Sequence, residues 1–524
     1  MQGKKPFQEK LFNSFQLSER VPSENFYRRL KEMVDLEFLR PLTRHLYGET
    51  GNPSIDPVVF FKFMLVGYLE NIPSDRRLID FCSLRLDILY FLGYDIDEAL
   101  PWHSTVSRTR QLYEEKLFEE LFSRIFSLCV EGGMVSGHTQ AIDSAQVKAN
   151  ASMSSMEMKH PAGPLNEFIE RSGRENEEPR RRAKHDKSDD EQKTITSSEM
   201  ELRELDTRNK YFEENKVEQF GSKVKDTFTS YSNQTHYSPT DPDARISTKP
   251  GKPRQFNYLC SMAVDTGQGV ITHVQADFAD TKDSRYLMDI TGKTTRELSR
   301  NQLLLENVLA DTGYSSGKNY HDMETLGLTA YIPTSGVYKH DREGFVYHKE
   351  TDVFVCRNGK TLVYKKTLTT SKGRLLKHYR STRMDCRGCP FKTACVGEKG
   401  HEKKLEVSYY QEEYERAWQR QQTRRFKRML KIRQSTVEPV FGNLINYYGL
   451  RKITSLGIKN AHKKMLMSAA AFNLKKLMKH LQFNGHSNMQ ALTRKAIVFS
   501  KRLYSELISA VKRTPEMTLA GMRF

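Results

Sequence analysis

Long apolar runs are missing from this 524-residue chain. No segment approaches the roughly 20 consecutive apolar residues that cross a bilayer, which excludes a helical membrane protein. The opening stretch, MQGKKPFQEKLFNSFQLSER, lacks the apolar centre of a secretory signal. The expected compartment is therefore the cytoplasm, with no membrane partner. Cysteine is scarce, seven in all, which argues against the disulfide framework of a small secreted scaffold. Acidic residues are outnumbered, 65 against 83 lysines and arginines, for a net charge of +18. A surplus of that size and sign favours a polyanionic partner, and nucleic acid is the usual one. There is no internal repeat, and no serine or tyrosine stands in a marked nucleophile motif.

What is present divides the chain by texture. The length implies about two to four domains. Residues 1–134 read as helical: FFKFMLVGYLENI and DRRLIDFCSLRLDILYFLGY carry apolar residues at three- and four-residue spacing, with Pro57 and Pro73 at helix starts and Gly93 at a helix end. PWHSTVSRTRQLYEEK follows, with Ser104 as an N-cap and Ser107, Arg108 and Arg110 in the first turns. A short helix, a turn and a basic helix suggest a helix-turn-helix-like DNA-binding domain; a plain helical bundle with a basic face fits as well.

Residues 135–160 and 238–334 alternate strand and helix patterns, which implies a mixed α/β sheet. Between them, 161–237 is charged and poor in apolar residues, a flexible or helical insertion. Residues 335–410 are β-rich and hold four of the cysteines, 411–480 are helical, and 481–524 form a basic tail with one more helix expected over 492–512.

Three carboxylates stand out. Asp143 lies in QAIDSAQVKANAS, on a strand face shared with Ala141, Ala145 and Val147. A charge on a core-like face costs several kcal/mol unless it is paired or bound to a metal. Asp311 ends the buried strand of ENVLADTGYSS, where open α/β sheets place ligand sites. Glu438 lies in RQSTVEPVFGNL, at an expected helix start. Each has a plain structural alternative: a strand edge facing water, an Asp-Thr-Gly turn, and a capping box over Ser435-Thr436-Val437-Glu438. Metal-assisted phosphodiester cleavage needs two divalent ions about 3.5–4 Å apart, held by a few rigid carboxylates. Three that converge only on folding meet that need. Downstream, Val440, Phe441, Leu444, Ile445 and Tyr448 form an apolar stripe. It leaves Arg451 and Lys452 as candidates for DNA phosphates, with Arg433 upstream as a further DNA-binding candidate.

Taken together, QAIDSAQVKANAS, DPDARISTKPGK, ENVLADTGYSS and RQSTVEPVFGNLINYYGLRK, in that order, resemble the bacterial insertion-sequence transposases of the DDE superfamily. The segment GNPSIDPVVFFKFMLVGYLENIPSDRRL with PWHSTVSRTR resembles the helical domain that precedes their core. The resemblance implies an RNase H-like catalytic core in which Asp143, Asp311 and Glu438 are the catalytic, metal-holding triad for two Mg²⁺ (or Mn²⁺) ions. It implies that water cuts at the element end, and that the freed 3′-hydroxyl attacks target DNA. Double-stranded DNA is then the partner, the nucleoid the place of action, and a homodimer or larger assembly the form on DNA. One departure concerns the Tyr–Arg–Glu–Lys signature of some relatives: Arg433 precedes Glu438 by five residues, and Ile445 stands where a Lys is expected. A domesticated nuclease, or a DNA-binding regulator with the same core, is the alternative.

Cys82, Cys129 and Cys260 sit in apolar runs and read as core. Cys386-x₂-Cys389-x₅-Cys395, with Cys356 upstream, has the residues for one structural Zn²⁺, and His378 and His401 are spare ligands. The alternative is a set of reduced cysteines in a β-rich insertion.

Overall fold

The computed structural model describes residues 16–48, 54–158, 236–247, 253–335, 342–370 and 373–483, with a few isolated positions between them. Nearly all of the charged insertion expected at 161–237, and the helix expected over 492–512, lie outside the described residues.

The N-terminal part is helical: α1 (Phe26–Met33), α2 (Pro57–Leu69), α3 (Asp75–Ser83), α4 (Leu86–Leu92), α5 (His103–Leu112) and α6 (Glu115–Glu131). Asp56 caps α2 by accepting from the Val58 N–H at 2.7 Å, and Pro57 presets its first turn. That helix is apolar around most of its girth and buried accordingly. Gly93 closes α4 at φ +91°, a conformation glycine adopts without steric cost. In α5 the N-cap is Trp102, and Ser104 falls inside the first turn instead of capping it.

A sheet follows, from β1 (Thr139–Lys148), β2 (Arg245–Ser247), β3 (Gln255–Asp265), β4 (Ile271–Phe278), β5 (Asn307–Leu309) and β6 (Thr329–Tyr331). α7 (Leu287–Arg300) and α8 (Gly317–Thr325) make the crossovers on either side of β5. Strand order is β4–β3–β1–β5–β6, with β2 pairing the start of β3. β3 runs antiparallel to both β1 and β4, while β5 and β6 run parallel to β1. Three antiparallel strands and then two parallel ones, the first strand central, make an RNase H-like mixed α/β core.

The strands alternate as a two-residue period requires. Ala141, Val147, Met262 and Leu309 enter one large buried cluster; Ile142, Ala263, Val308 and Ala330 enter a second one with α7 and α8. Beyond β6, β7 (Phe345–His348), β8 (Val353–Cys356), β9 (Thr361–Thr369), β10 (Leu375–Arg380) and β11 (Lys404–Ser408) form a separate antiparallel sheet with its own small core of Phe354, Leu362, Tyr379, Leu405 and Val407.

The chain then closes with α9 (Gln411–Gln421), α10 (Arg424–Tyr447) and α11 (Ile458–Phe483). The buried run Ala469–Ala470–Ala471 leaves room for close packing, and α11 touches α6, α2 and β4. Asn473 clamps β4: it accepts from the Ile271 N–H at 2.9 Å and donates to the Ile271 carbonyl at 2.8 Å. The first large cluster therefore joins the N-terminal helices to one face of the sheet through α11. Among the described residues no helix is long and apolar enough to cross a membrane.

Candidate active site

The parallel register of β1 with β5 positions the first two carboxylates. Thr139 pairs with Asn307, Gln140 with Val308 and Ala141 with Leu309. Two residues further along each chain stand Asp143 and Asp311, on the same side of the sheet, and the charge of Asp311 adds to the cost of charging Asp143. Asp311 lies just past the end of β5 and caps the 3₁₀ turn Thr312–Tyr314, accepting from the Gly313 N–H at 2.8 Å. The Asp-Thr-Gly turn expected from the sequence thus forms, and it orients the carboxylate.

Asp143 faces α10. Its Oδ2 accepts from Arg433 Nη1 at 2.8 Å, and its Oδ1 from the Ser144 N–H at 2.8 Å. Burial pushes its carboxyl up from the usual range, with Asp311 adding to the push; Arg433 and the Ser144 N–H work against it without cancelling it. Arg433 is itself buried, 8% exposed, on the inner face of α10 with Phe426, Val437, Val440, Phe441 and Leu444. It points into the protein onto Asp143, not outward to a DNA backbone.

A residue that the sequence did not single out also belongs here. Asp283, in the short 3₁₀ turn before α7, approaches Gly313 as Asp311 does. A methyl group on Gly313 would meet Asp311 Oδ1 at 3.0 Å and Asp283 Oδ2 at 3.4 Å. Next to it the buried Tyr314 hydroxyl bonds Ser144 Oγ at 2.6 Å, and Ser144 Oγ bonds Ser261 Oγ at 2.8 Å. Burial holds the Tyr314 phenol well above its ordinary range, and the charges of Asp143, Asp283 and Asp311 add to this against the Ser144 bond. The three aspartates therefore share one neighbourhood. In the sequence, Asp283 looks like an ordinary helix-entry residue, and nothing there links it to Asp311.

Glu438 departs from its expected setting. It lies in the middle of α10, which starts fourteen residues earlier, where Thr423 caps it by accepting from the Phe426 N–H. No capping box forms, since the Ser435 and Thr436 hydroxyls both bond back to the Ile432 carbonyl. Glu438 is exposed, on the flank of the buried stripe beside Pro439. Among the described residues no three His, Cys, Asp or Glu side chains are gathered closely enough to hold a metal ion.

Two family models match the chain: a transposase domain (DUF772) over residues 15–112, and a Transposase DDE domain over residues 355–478. These two matches support an insertion-sequence DDE transposase. Glu438 and Arg433 fall inside the second match; Asp143 and Asp311 fall outside both. No curated protein matches the chain. Among solved structures, the piggyBac transposase synaptic complex with hairpin DNA is similar at a TM-score of 0.32 and 9% identity, over 95% of this chain and 88% of that one.

The basic residues of the transposase expected at DNA divide in two. Arg108, Arg451 and Lys452 are exposed. Arg110 turns inward and binds Asp75 with both guanidinium arms, at 2.9 and 2.6 Å, while Ser107 lines the cavity beside it. In the β-rich insertion, Cys356 at the end of β8 joins Cys386, Cys389 and Cys395, and all four line one cavity of about 30 Å³ with Phe345 and Phe391. Their thiols are free and half-buried, and Cys386 Sγ lies 3.1 Å from Ser381 Oγ. His378 is instead paired with Glu406 at 3.0 Å, and His401 does not line the cavity.

Proposed function

We propose that this transposase binds the terminal inverted repeats of an insertion sequence, cuts at their ends and joins the freed 3′-hydroxyl to target DNA, using Asp143, Asp311 and Glu438. The observation that carries this reading is the β1–β5 register, which sets Asp311 beside Asp143 although 168 residues separate them. Two neighbouring carboxylates, both half-buried, form a donor pair suited to a hard cation. Asp143 and Asp311, with Glu438, would hold Mg²⁺ or Mn²⁺, two ions, which when bound activate the attacking oxygen and stabilise the leaving one.

The chain's own groups prepare that site. Arg433 favours the charged form of Asp143 against the pull of its half-buried setting, and the Ser144 and Gly313 N–H groups fix one oxygen of Asp143 and of Asp311. The Ser144–Ser261–Tyr314 hydroxyls form a rigid floor under the pair. Glu438 is free to swing from the flank of α10, and its place in the matched DDE segment supports its inclusion. Arg108, Arg451 and Lys452 would contact phosphates, and joining two element ends calls for at least a dimer on DNA.

Asp143→Asn, Asp311→Asn and Glu438→Gln should each reduce divalent-metal-dependent cleavage of an end-bearing duplex by about a thousandfold, a barrier change of about 4 kcal/mol, while gel-shift affinity stays near native. Retained cleavage in any variant removes that residue from the triad; retained cleavage in all three defeats the enzymatic reading.

We also propose one structural Zn²⁺ on Cys356, Cys386, Cys389 and Cys395. The four cysteines line one space of about 30 Å³, their thiols are donors that zinc prefers, and the ion would draw together side chains that stand too far apart to hold one in this structure. Elemental analysis of the purified protein should find about one zinc per chain, falling by half or more in Cys386→Ser. Metal-free protein with unaltered thermal stability would dispose of this assignment.

A further inference from the structure

A second cavity, of about 410 Å³, lies between α2, α3, α5, the 449–456 loop and α11. Arg110, Lys464, Ser107, Asn150, Ser455 and Asn460 line it. Its charges do not balance. The carboxylate on its wall, Asp75, is engaged by both arms of Arg110. Lys464 is a second cation, only 9% exposed, and its ammonium bonds the Thr454 hydroxyl, a neutral partner. Ser455 Oγ is buried in the same wall without a hydrogen-bond partner. Burying an ammonium without a counter-charge costs several kcal/mol, and an orphaned hydroxyl adds about 1–3 more. Such a site is built for an anion that accepts hydrogen bonds. Burial pushes the Lys464 ammonium down to about 7, with Arg110 adding to this against Asp75; a bound anion would restore its charge.

We infer that this cavity is an anion site, separate from the Asp143–Asp311 pair, which takes a phosphate of the DNA backbone on Lys464, Ser455 and Arg110. Resting on the reading of the chain as a DNA-acting transposase, it draws on two further facts. The volume lies in the range of ligand pockets and exceeds what a lone phosphate needs, so a nucleotide unit fits. The exposed Arg451 and Lys452 precede Thr454 and Ser455 in the same loop, so a strand held by them has a short path to the cavity.

The test uses the full chain and inorganic phosphate as the first probe. Native protein should bind phosphate in a calorimetric titration, and Lys464→Met should weaken it at least tenfold. Ser455→Leu, which plugs the wall from another element, serves as the second variant should Lys464→Met fail to fold. The second probe is duplex DNA in EDTA, where cleavage is silent: Lys464→Met should lower its affinity and make it less dependent on salt. Phosphate binding equal to native in the variants overturns the anion site. Phosphate binding lost with DNA affinity and salt slope unchanged overturns the backbone assignment and leaves a site for free anions. Asp143→Asn should bind phosphate as native does, so failure of the triad and failure of this site are told apart.

Discussion

Two half-buried arginine–aspartate pairs, Arg433–Asp143 and Arg110–Asp75, have the same chemistry in opposite surroundings. Arg433 reaches Asp143 with one nitrogen at 2.8 Å, and Asp311 and Asp283 stand nearby, so that neighbourhood gathers carboxylates. Arg110 grips Asp75 with two nitrogens, and Lys464 stands nearby, so that neighbourhood is short of negative charge. Had both pairs been purely structural, each would be expected to close on itself, since an extra buried charge adds a desolvation penalty. The direction of the surplus is what separates a place for cations from a place for phosphate.

The strongest way to break the comparison is Arg433→Gln. It leaves Asp143 buried beside Asp311 with no cation, and removing one partner of a buried pair costs about 3 kcal/mol. The sign with pH follows from the carboxyl being raised in the folded state. Over the window between its ordinary and its raised value, the native protein binds more protons than the unfolded chain, so stability falls as pH rises. Without Arg433 that window extends upward. Urea unfolding should therefore show the variant's deficit growing from acid to neutral pH, and the acid limb of the cleavage profile should move to higher pH. A deficit independent of pH would mean that Arg433 acts through packing alone.

On the other side, Lys464→Met should make the protein more stable, by an amount that depends on pH. With the ammonium lowered to about 7, the unfolded chain holds more protons than the native one between about 7 and lysine's ordinary 10.5. Native stability therefore climbs with pH through that range, and the cost of Lys464 is fully present below it. The methionine variant should melt higher than native at pH 6 and lose that advantage by pH 10. Asp75→Asn is the complementary change: it frees Arg110, should destabilise the protein by about 2 kcal/mol, and should tighten phosphate about tenfold. Looser phosphate binding in Asp75→Asn would show that the cavity does not respond to its charge balance.

Neither pair was legible in the sequence, although much around them was. Alternation over QAIDSAQVKA places β1 and the face of Asp143, because local periodicity reports which side of a strand is buried. In the sequence, Arg433 and Arg110 look like candidates for DNA, not partners of aspartates. Their partners lie 290 and 35 residues away, and no spacing rule reports a tertiary contact. Glu438 failed in a different way. Ser435-Thr436-Val437-Glu438 fits a capping box, but the helix had already begun at Thr423, and mid-helix serine and threonine hydroxyls bond back to a carbonyl of the preceding turn. Cys356 was the reverse case: without a near partner in sequence, it joins the other three cysteines once β8 is laid against β7 and β9.

The smallest change sharpens the acid-rich side. Gly313 has an ordinary backbone conformation, so alanine there brings no left-handed strain, only a methyl group 3.0 Å from Asp311 Oδ1 and 3.4 Å from Asp283 Oδ2. One of the two carboxylates must shift by a few tenths of an ångström. If Asp311 belongs to the reacting centre, Gly313→Ala should slow cleavage by about three- to tenfold, less than 1.4 kcal/mol, with DNA affinity unchanged and the melting temperature within a degree or two of native. Asp283→Ala in the same background gives the methyl group room, so it should recover part of the lost rate if Asp283 serves only to crowd Gly313. A further loss in the double variant would mean instead that Asp283 contributes its own charge to the site.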